Sequence, residues 1–248
     1  VFNINYDRSK YLRLDANERV IPFSKKVLLG LKKNILNNIV QSYPKNKKKI
    51  LQLISRYEKI NSKYISCFPG IDTNLKHIFE AFSFNEKKFL SFFPTYGMID
   101  VYSRIYKLKI IKVPEKKIFQ FLNKKIIKTA AFIYFAIPNQ PSGKIVSYQQ
   151  MIKILKIANK FKKIIIIDEA YLDFSDQKSL APFVRKFKNL IVLKTLSKNV
   201  GIAGLRFSYM LSNPNLSKII NAFRPPYDIS HFSIKAAEYF FKNKKILK

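Results

Sequence analysis

A chain of 248 residues that is 48% hydrophobic and 25% charged has the composition of an ordinary globular protein and the length to bury a sizeable core. This argues against a disordered, fibrous or membrane-embedded chain. Its 47 basic residues against 15 acidic ones leave a formal charge of +32, a balance that raises nucleic acid or an anionic membrane as partners. The basic residues are mostly Lys, scattered in twos and threes (Lys25 and Lys26, Lys47 to Lys49, Lys124 and Lys125), and they accompany many Asn, Ile, Phe and Tyr. Codons rich in A and T explain that set as well as binding does. With no zinc finger, RNP motif or basic zipper present, the lysines read as solvated helix faces, and neither nucleic acid nor membrane is expected as a partner.

Taken in order, the apolar spacing predicts a helix over Ser24 to Val40 and, after the Tyr43-Pro44 break, another over Ile50 to Ile60. Strands are predicted at Tyr64 to Cys67, Phe89 to Phe92, Leu108 to Val113, Ala130 to Phe135, Ile164 to Ile167, Leu190 to Leu193 and Arg206 to Leu211. Helices between them begin near Asp72, Tyr96, Ser147 and Pro214, and Phe232 to Lys248 reads as a last helix that stops without a cap. The alternation implies an α/β fold, three layers α/β/α around a mostly parallel central sheet, and uninterrupted Ile, Val and Phe runs suit strands buried on both faces. No apolar run nears the ~20 residues that span a bilayer. The single cysteine, Cys67, excludes a disulfide framework and reads as a small buried hydrophobe; His77 and His231 read as structural, and no Cys/His cluster suits a metal. No secretory leader is read at Val1, so a reducing cytoplasm is the expected location.

Two scarce residue types mark positions of interest. Of six glycines, Gly70, Gly97, Gly143, Gly201 and Gly204 fall in loops, where a backbone that other residues cannot supply is expected, and Gly30 falls inside a helix. Four of the 15 acids (Asp168, Glu169, Asp173, Asp176) crowd together just after the strongest strand signal. In an open parallel sheet, ligands bind beyond the carboxyl ends of the strands. The residues there are Pro69-Gly70-Ile71-Asp72, Pro94-Thr95-Tyr96-Gly97, Pro138 to Gly143, Asp168-Glu169-Ala170-Tyr171 and Thr195-Leu196-Ser197-Lys198. An aromatic ring, an amide, a carboxylate, a phenol and a lysine thus converge on one rim, the inventory that a pyridoxal phosphate site requires.

Singly, each of these residues has a plainer reading: Lys198 as a solvated lysine, Asp168 as a turn or cap, Tyr96 as packing, Arg206 as half of a surface pair. Their order and spacing, with the carboxylate 30 residues before the lysine and the arginine 8 after it, outweigh those readings. Together with Leu14-Asp15-Ala16-Asn17-Glu18, Tyr43-Pro44 and Thr195 to Arg206, the motifs resemble the fold-type I pyridoxal phosphate aminotransferases. They are most similar to the histidinol-phosphate aminotransferase branch, and the resemblance runs through nearly the whole chain.

The resemblance implies that Lys198 is the Schiff-base lysine and general base, that Asp168 pairs with the pyridine nitrogen, and that Tyr171 bonds the cofactor's phenolic oxygen. Tyr96 would stack on the ring. Backbone amides of Ile71 and Asp72, the hydroxyls of Thr195 and Ser197, and Arg206 would hold the phosphate, with Tyr43 reaching in from the other subunit of a homodimer. Gly201 and Gly204 would fold the loop that returns Arg206 to the phosphate, and Asn17 would bind substrate. Relatives carry Asn where this chain has Gln140, an equivalent amide on a longer arm.

The resemblance also implies a division into residues 1–40, a segment of the small domain and dimer interface, 41–225, the cofactor-binding domain, and 226–248, the start of a small domain that is largely missing. Arg224 lies too early to be that domain's substrate-gripping arginine. The chain is therefore expected to expose apolar surface. The implied activity is amino transfer between glutamate or 2-oxoglutarate and a phosphorylated carbonyl compound, histidinol phosphate and imidazole-acetol phosphate first. Alternatives are a related enzyme acting on another phosphorylated or aromatic substrate, a decarboxylase of phosphorylated amino acids, or a catalytically inactive basic binding protein.

Overall fold

The computed structural model describes residues 7, 10–12, 15–35, 39, 41–44, 47–84, 88–121 and 124–247. Val1, Leu14, Val40 and Lys248, named above, lie outside the described residues. The helices are α1 (Lys25–Ile35), α2 (Lys48–Glu58), α3 (Ile71–Phe82), α4 (Gly97–Ile105), α5 (Ile118–Phe121), α6 (Lys124–Lys128), α7 (Tyr148–Lys160), α8 (Pro214–Asn221) and α9 (His231–Lys242). The strands are β1 (Ile65–Phe68), β2 (Lys88–Phe92), β3 (Lys109–Val113), β4 (Phe132–Ala136), β5 (Ile164–Asp168), β6 (Leu190–Thr195) and β7 (Ser208–Ser212).

All seven expected strands form, and they join one sheet in the order β1-β7-β6-β5-β4-β2-β3. Pairing is parallel from β3 through β6, whereas β7 runs antiparallel to both β6 and β1. Six strands therefore point the same way, and the sheet is mostly parallel as expected. Period-two alternation splits the central runs between two cores. Ile133, Phe135, Ile165, Ile167 and Val192 pack on one face with residues of α2, α7 and α9. Phe132, Tyr134, Ile166 and Leu193 pack on the other with residues of α3, α4 and α8.

Local chemistry sets the helix starts. Ser147 and Gln150 form a reciprocal capping box at α7, Asn213 caps α8 just before Pro214, and Ser230 caps α9. The seventh strand begins later than the expected Arg206, because Arg206 sits at φ +46 in the left-handed region and cannot join the ladder. The glycine expectation needs correction at two loops. Gly70, Gly143 and Gly201 have positive φ, but Gly97 opens α4 and Gly204 lies in a 3-10 turn, both with open space where a side chain would be. Gly204 is thus not needed to fold the loop back to Arg206.

Gly30 is required for a different reason: α1 crosses α9 there, and a Cβ would lie 2.3 Å from the Tyr239 hydroxyl oxygen. On the same helix Leu28 and Leu29 are exposed. Replacing Gly30 by Ala ordinarily gains about 1 kcal/mol of helix stability, but overpacking costs about 1–3 kcal/mol or more. Gly30→Ala is expected to lower stability in urea unfolding, and the same change in a Tyr239→Ala background to be neutral or stabilising. A gain in the wild-type background would show that the two helices do not meet at this point.

Candidate active site

Because β1, β2, β4, β5 and β6 share one direction, the loops that follow them open on one edge of the sheet. Asp168, the last residue of β5, is buried there. Its Oδ2 accepts a hydrogen bond from the Tyr134 hydroxyl (3.0 Å) and its Oδ1 from the Ala170 N–H (3.0 Å). Among the described residues no cation pairs with it. Burial pushes this carboxyl up to about 6, which the two donors only partly offset and which Asp72 and Glu169 reinforce.

Lys198 stands three residues beyond β6, half-buried, with Nζ donating to the Ala16 carbonyl (2.8 Å) and lying 5.6 Å from the centroid of the Tyr171 ring. The Tyr171 hydroxyl accepts from Asn17 Nδ2 (3.0 Å). Residues 15–19 thus fold over the rim from the amino-terminal side. Gly201 matters here, since a Cβ on it would lie 2.6 Å from the Arg19 side chain.

An anion cradle forms beside them. Gly70, at φ +93, precedes α3, whose first N–H groups lack intrahelical partners. A Cβ on Gly70 would lie 2.4 Å from Arg206 Nη2, so the glycine lets the guanidinium approach the turn. Thr195 Oγ1 is 3.0 Å from Ser197 Oγ and accepts the Ser197 N–H (3.1 Å).

Asp72 was expected to act through its amide, but its carboxylate also takes part. It accepts from the Tyr96 hydroxyl (2.8 Å) and from Arg206 Nη2 (3.3 Å). Burial and this carboxylate raise the Tyr96 phenol pKa and keep it protonated. Two expected residues stand apart from these contacts. Tyr43 is exposed and stacked on Tyr227, with ring centroids 4.5 Å apart. Gln140 is half-buried, and it is Asn139 beside it that anchors the turn, with Nδ2 donating to the Pro94 carbonyl (2.9 Å). Sequence reasoning passed over Asn139; its place between Pro138 and a second proline was the available signal.

Such a rim defines a class of protein: an open α/β sheet that holds pyridoxal 5'-phosphate at its strand ends. The buried carboxylate without a cation suits a protonated ring nitrogen. The Gly70 turn, the α3 N–H groups and Arg206 suit a phosphate. Residues 10–244 match the family described as Aminotransferase class I and II, and the chain belongs to that family, whose cofactor is pyridoxal 5'-phosphate.

It is 30% identical over 243 residues to the histidinol-phosphate aminotransferase of Caldanaerobacter subterraneus subsp. tengcongensis, across 96% of this chain and 67% of the relative. The chain thus spans about two thirds of that protein. The structure of histidinol-phosphate aminotransferase from Sinorhizobium meliloti in complex with pyridoxal-5'-phosphate superposes with a TM-score of 0.82 at 20% identity, over 94% of this chain and 64% of that one. L-threonine-O-3-phosphate decarboxylase from Porphyromonas gingivalis superposes with a TM-score of 0.76 at 20% identity, over 90% of this chain and 70% of that one. At these identities both structures share the fold.

The raised pKa of Asp168 has a stability consequence of definite sign. The folded state holds its proton more tightly than the unfolded state, so stability present below about pH 4 is lost as pH rises through about 6. Cofactor-free Asp168→Asn is therefore expected to be more stable than wild type at pH 7.5, by on the order of 2 kcal/mol, and no more stable near pH 4. Melting curves at the two pH values check this; equal stabilities at pH 7.5 would show that the carboxylate is not strained by burial.

Proposed function

We propose that this chain acts in a transaminase that moves an amino group between glutamate or 2-oxoglutarate and a phosphorylated carbonyl compound, with histidinol phosphate and imidazole-acetol phosphate as the leading pair and histidine biosynthesis as the leading role. The observation that carries the reading is that Lys198, Tyr171 and the cation-free Asp168 lie on the same rim as the cradle of Gly70, the α3 amino end and Arg206. When bound, pyridoxal phosphate supplies an electron-accepting ring that stabilises negative charge on the substrate's α-carbon.

The chain's own groups supply the rest. Lys198 Nζ, 5.6 Å from the Tyr171 ring centroid, would tether the cofactor and take the proton from the α-carbon. Asp168 holds a proton on the ring nitrogen; a carboxylate next to that nitrogen is no longer an uncompensated buried charge. Tyr171 accepts from Asn17 and has its own hydrogen to donate to the phenolic oxygen. The α3 N–H groups, Thr195 and Ser197 would donate hydrogen bonds to the phosphate, and Arg206 would add a positive charge. Tyr96 covers the ring, and Asn17 presents an amide to incoming substrate. Under this reading the working unit is a cytoplasmic homodimer to which each chain lends Tyr43, and residues 226–248 open the small domain.

Borohydride treatment of the cofactor-loaded protein is expected to fix the cofactor to wild type and leave Lys198→Ala unlabelled; labelling of the variant would overturn the assignment. Supplying glutamate with imidazole-acetol phosphate is expected to yield 2-oxoglutarate. Release of carbon dioxide from a phosphorylated amino acid without ketone turnover would instead point to a decarboxylase.

A further inference from the structure

Consecutive residues at the ends of β5 and β6 turn to opposite faces. On the face away from Tyr134, Lys194 is half-buried between two carboxylates. Its Nζ lies 3.1 and 3.0 Å from the two Glu58 oxygens and 3.6 Å from Glu169 Oε2. The Tyr209 hydroxyl donates to Glu58, and Ser179 Oγ (2.6 Å) and the Leu180 N–H (2.7 Å) donate to Glu169. Burial opposes the ammonium charge, but Glu169, Glu58 and Asp173 outweigh it and raise the Lys194 pKa. Asp173, which shares the small cavity beside Lys194 with Tyr57 and Asn199, accepts from Asn199 Nδ2, and Asn199 Oδ1 in turn takes the Val200 N–H (2.7 Å). Glu58 of α2, Tyr209 of β7, Lys194 of β6 and Glu169 after β5 thus form one set of polar contacts, and across the small cavity the charge of Lys194 acts on the Asp173 carboxylate, which holds Asn199, the residue that follows Lys198. Buried ion groups of this kind contribute little net stability compared with apolar packing, so stability alone does not account for one at this place.

We propose that Lys194, with Glu58 and Glu169, is a positioning residue for the cofactor site. It ties the ends of β5 and β6 together from beneath and, by the charge it presents across the small cavity to Asp173, the acceptor of Asn199, holds the loop that carries Lys198 at a set distance from Asp168. The proposal rests on Lys198 being the tether and Asp168 the partner of the ring nitrogen. It deepens that reading by naming what fixes the two relative to each other.

The test compares wild type with Lys194→Met, Lys194→Arg and Asp173→Asn. In the cofactor-free proteins, hydrogen exchange is expected to quicken by about tenfold or more in the amides of residues 196–200 in Lys194→Met and Asp173→Asn, beyond any change in β4. In the loaded proteins, the pH midpoint of the cofactor's absorbance is expected to shift in both variants and to return in Lys194→Arg. Should Lys194→Met fail to fold, Asp173→Asn and Lys194→Arg carry the same readouts. A lowered melting temperature with unchanged midpoint and unchanged local exchange would overturn the proposal, since the network would then only brace the fold. The borohydride result on Lys198→Ala separates that outcome from failure of the tether assignment itself.

Discussion

The site depends on one directional constraint: six of the seven strands run the same way, so the residues that leave them collect on a single edge. The antiparallel β7 is part of this arrangement. It lies between β1 and β6 and lets the chain return from the Lys198 loop, through Arg206, beside the turn at Gly70. Within that frame the two-residue period of a strand makes neighbours in sequence strangers in space. Asp168 and Glu169 are adjacent and both buried, yet Asp168 bonds Tyr134 in one core while Glu169 faces Lys194 in the other. Burial raises both carboxyls, but among the described residues a cation offsets it at Glu169 and none pairs with Asp168. One acid is thereby part of the scaffold, and the other is left with an electrostatic deficit that the protonated ring nitrogen of the proposed reading would remove.

The anion cradle follows a related logic. Arg206 and Asp72 pair at 3.3 Å, but their side chains are 50% and 41% exposed, where such pairs add little stability. A weak pair holds the guanidinium in place near Gly70 and can yield to a dianion, which offers Arg206 a stronger partner while gaining the α3 N–H groups as well. Asp72 does not lose all its contacts in that exchange, because the Tyr96 hydroxyl remains bonded to its other oxygen. The tyrosine expected to cover the ring is thus oriented by a residue in the first turn of α3.

Much of this was legible in the sequence, for physical reasons that also explain what was not. Strands buried on both faces need continuous Ile, Val and Phe, so all seven announced themselves. The site residues follow directly on those strands, so Asp168, Lys198, Tyr171 and Gly70 could be picked out as strand-end residues. The short α5 and α6 carry too few turns to show a period. The direction of β7 could not be read, because a buried strand has the same composition whichever way it runs. Glu58 was invisible as a partner of Lys194, since the two lie 136 residues apart and only packing of α2 under the sheet brings them together. Gly30 showed as an oddity within a helix, but the Tyr239 ring that requires it belongs to α9.

The charge balance takes on a different meaning once burial is known. In a chain with 47 basic residues and 15 acids, the surface has no shortage of cations, and acids at random exposed positions would do little for it. Several of the acids instead have nearly inaccessible side chains and specific partners: Glu58 and Glu169 around Lys194, Asp228 in a two-point pair with Arg224, and Glu238 with Lys49 and Lys235. Asp228 and Arg224 show how far this goes, for the same guanidinium also donates to the Cys67 carbonyl (2.6 Å) and lies 3.7 Å from the Phe68 ring centroid, bracing the strand that leads into the Gly70 turn. Arg224, read from sequence as too early to grip substrate, is a strut beside the strand that leads into the Gly70 turn. In a lysine-rich chain a buried acid is the scarce partner, and where one lies in the interior it marks either a joint between elements or, under the proposed function of Asp168, a place for a cation from outside.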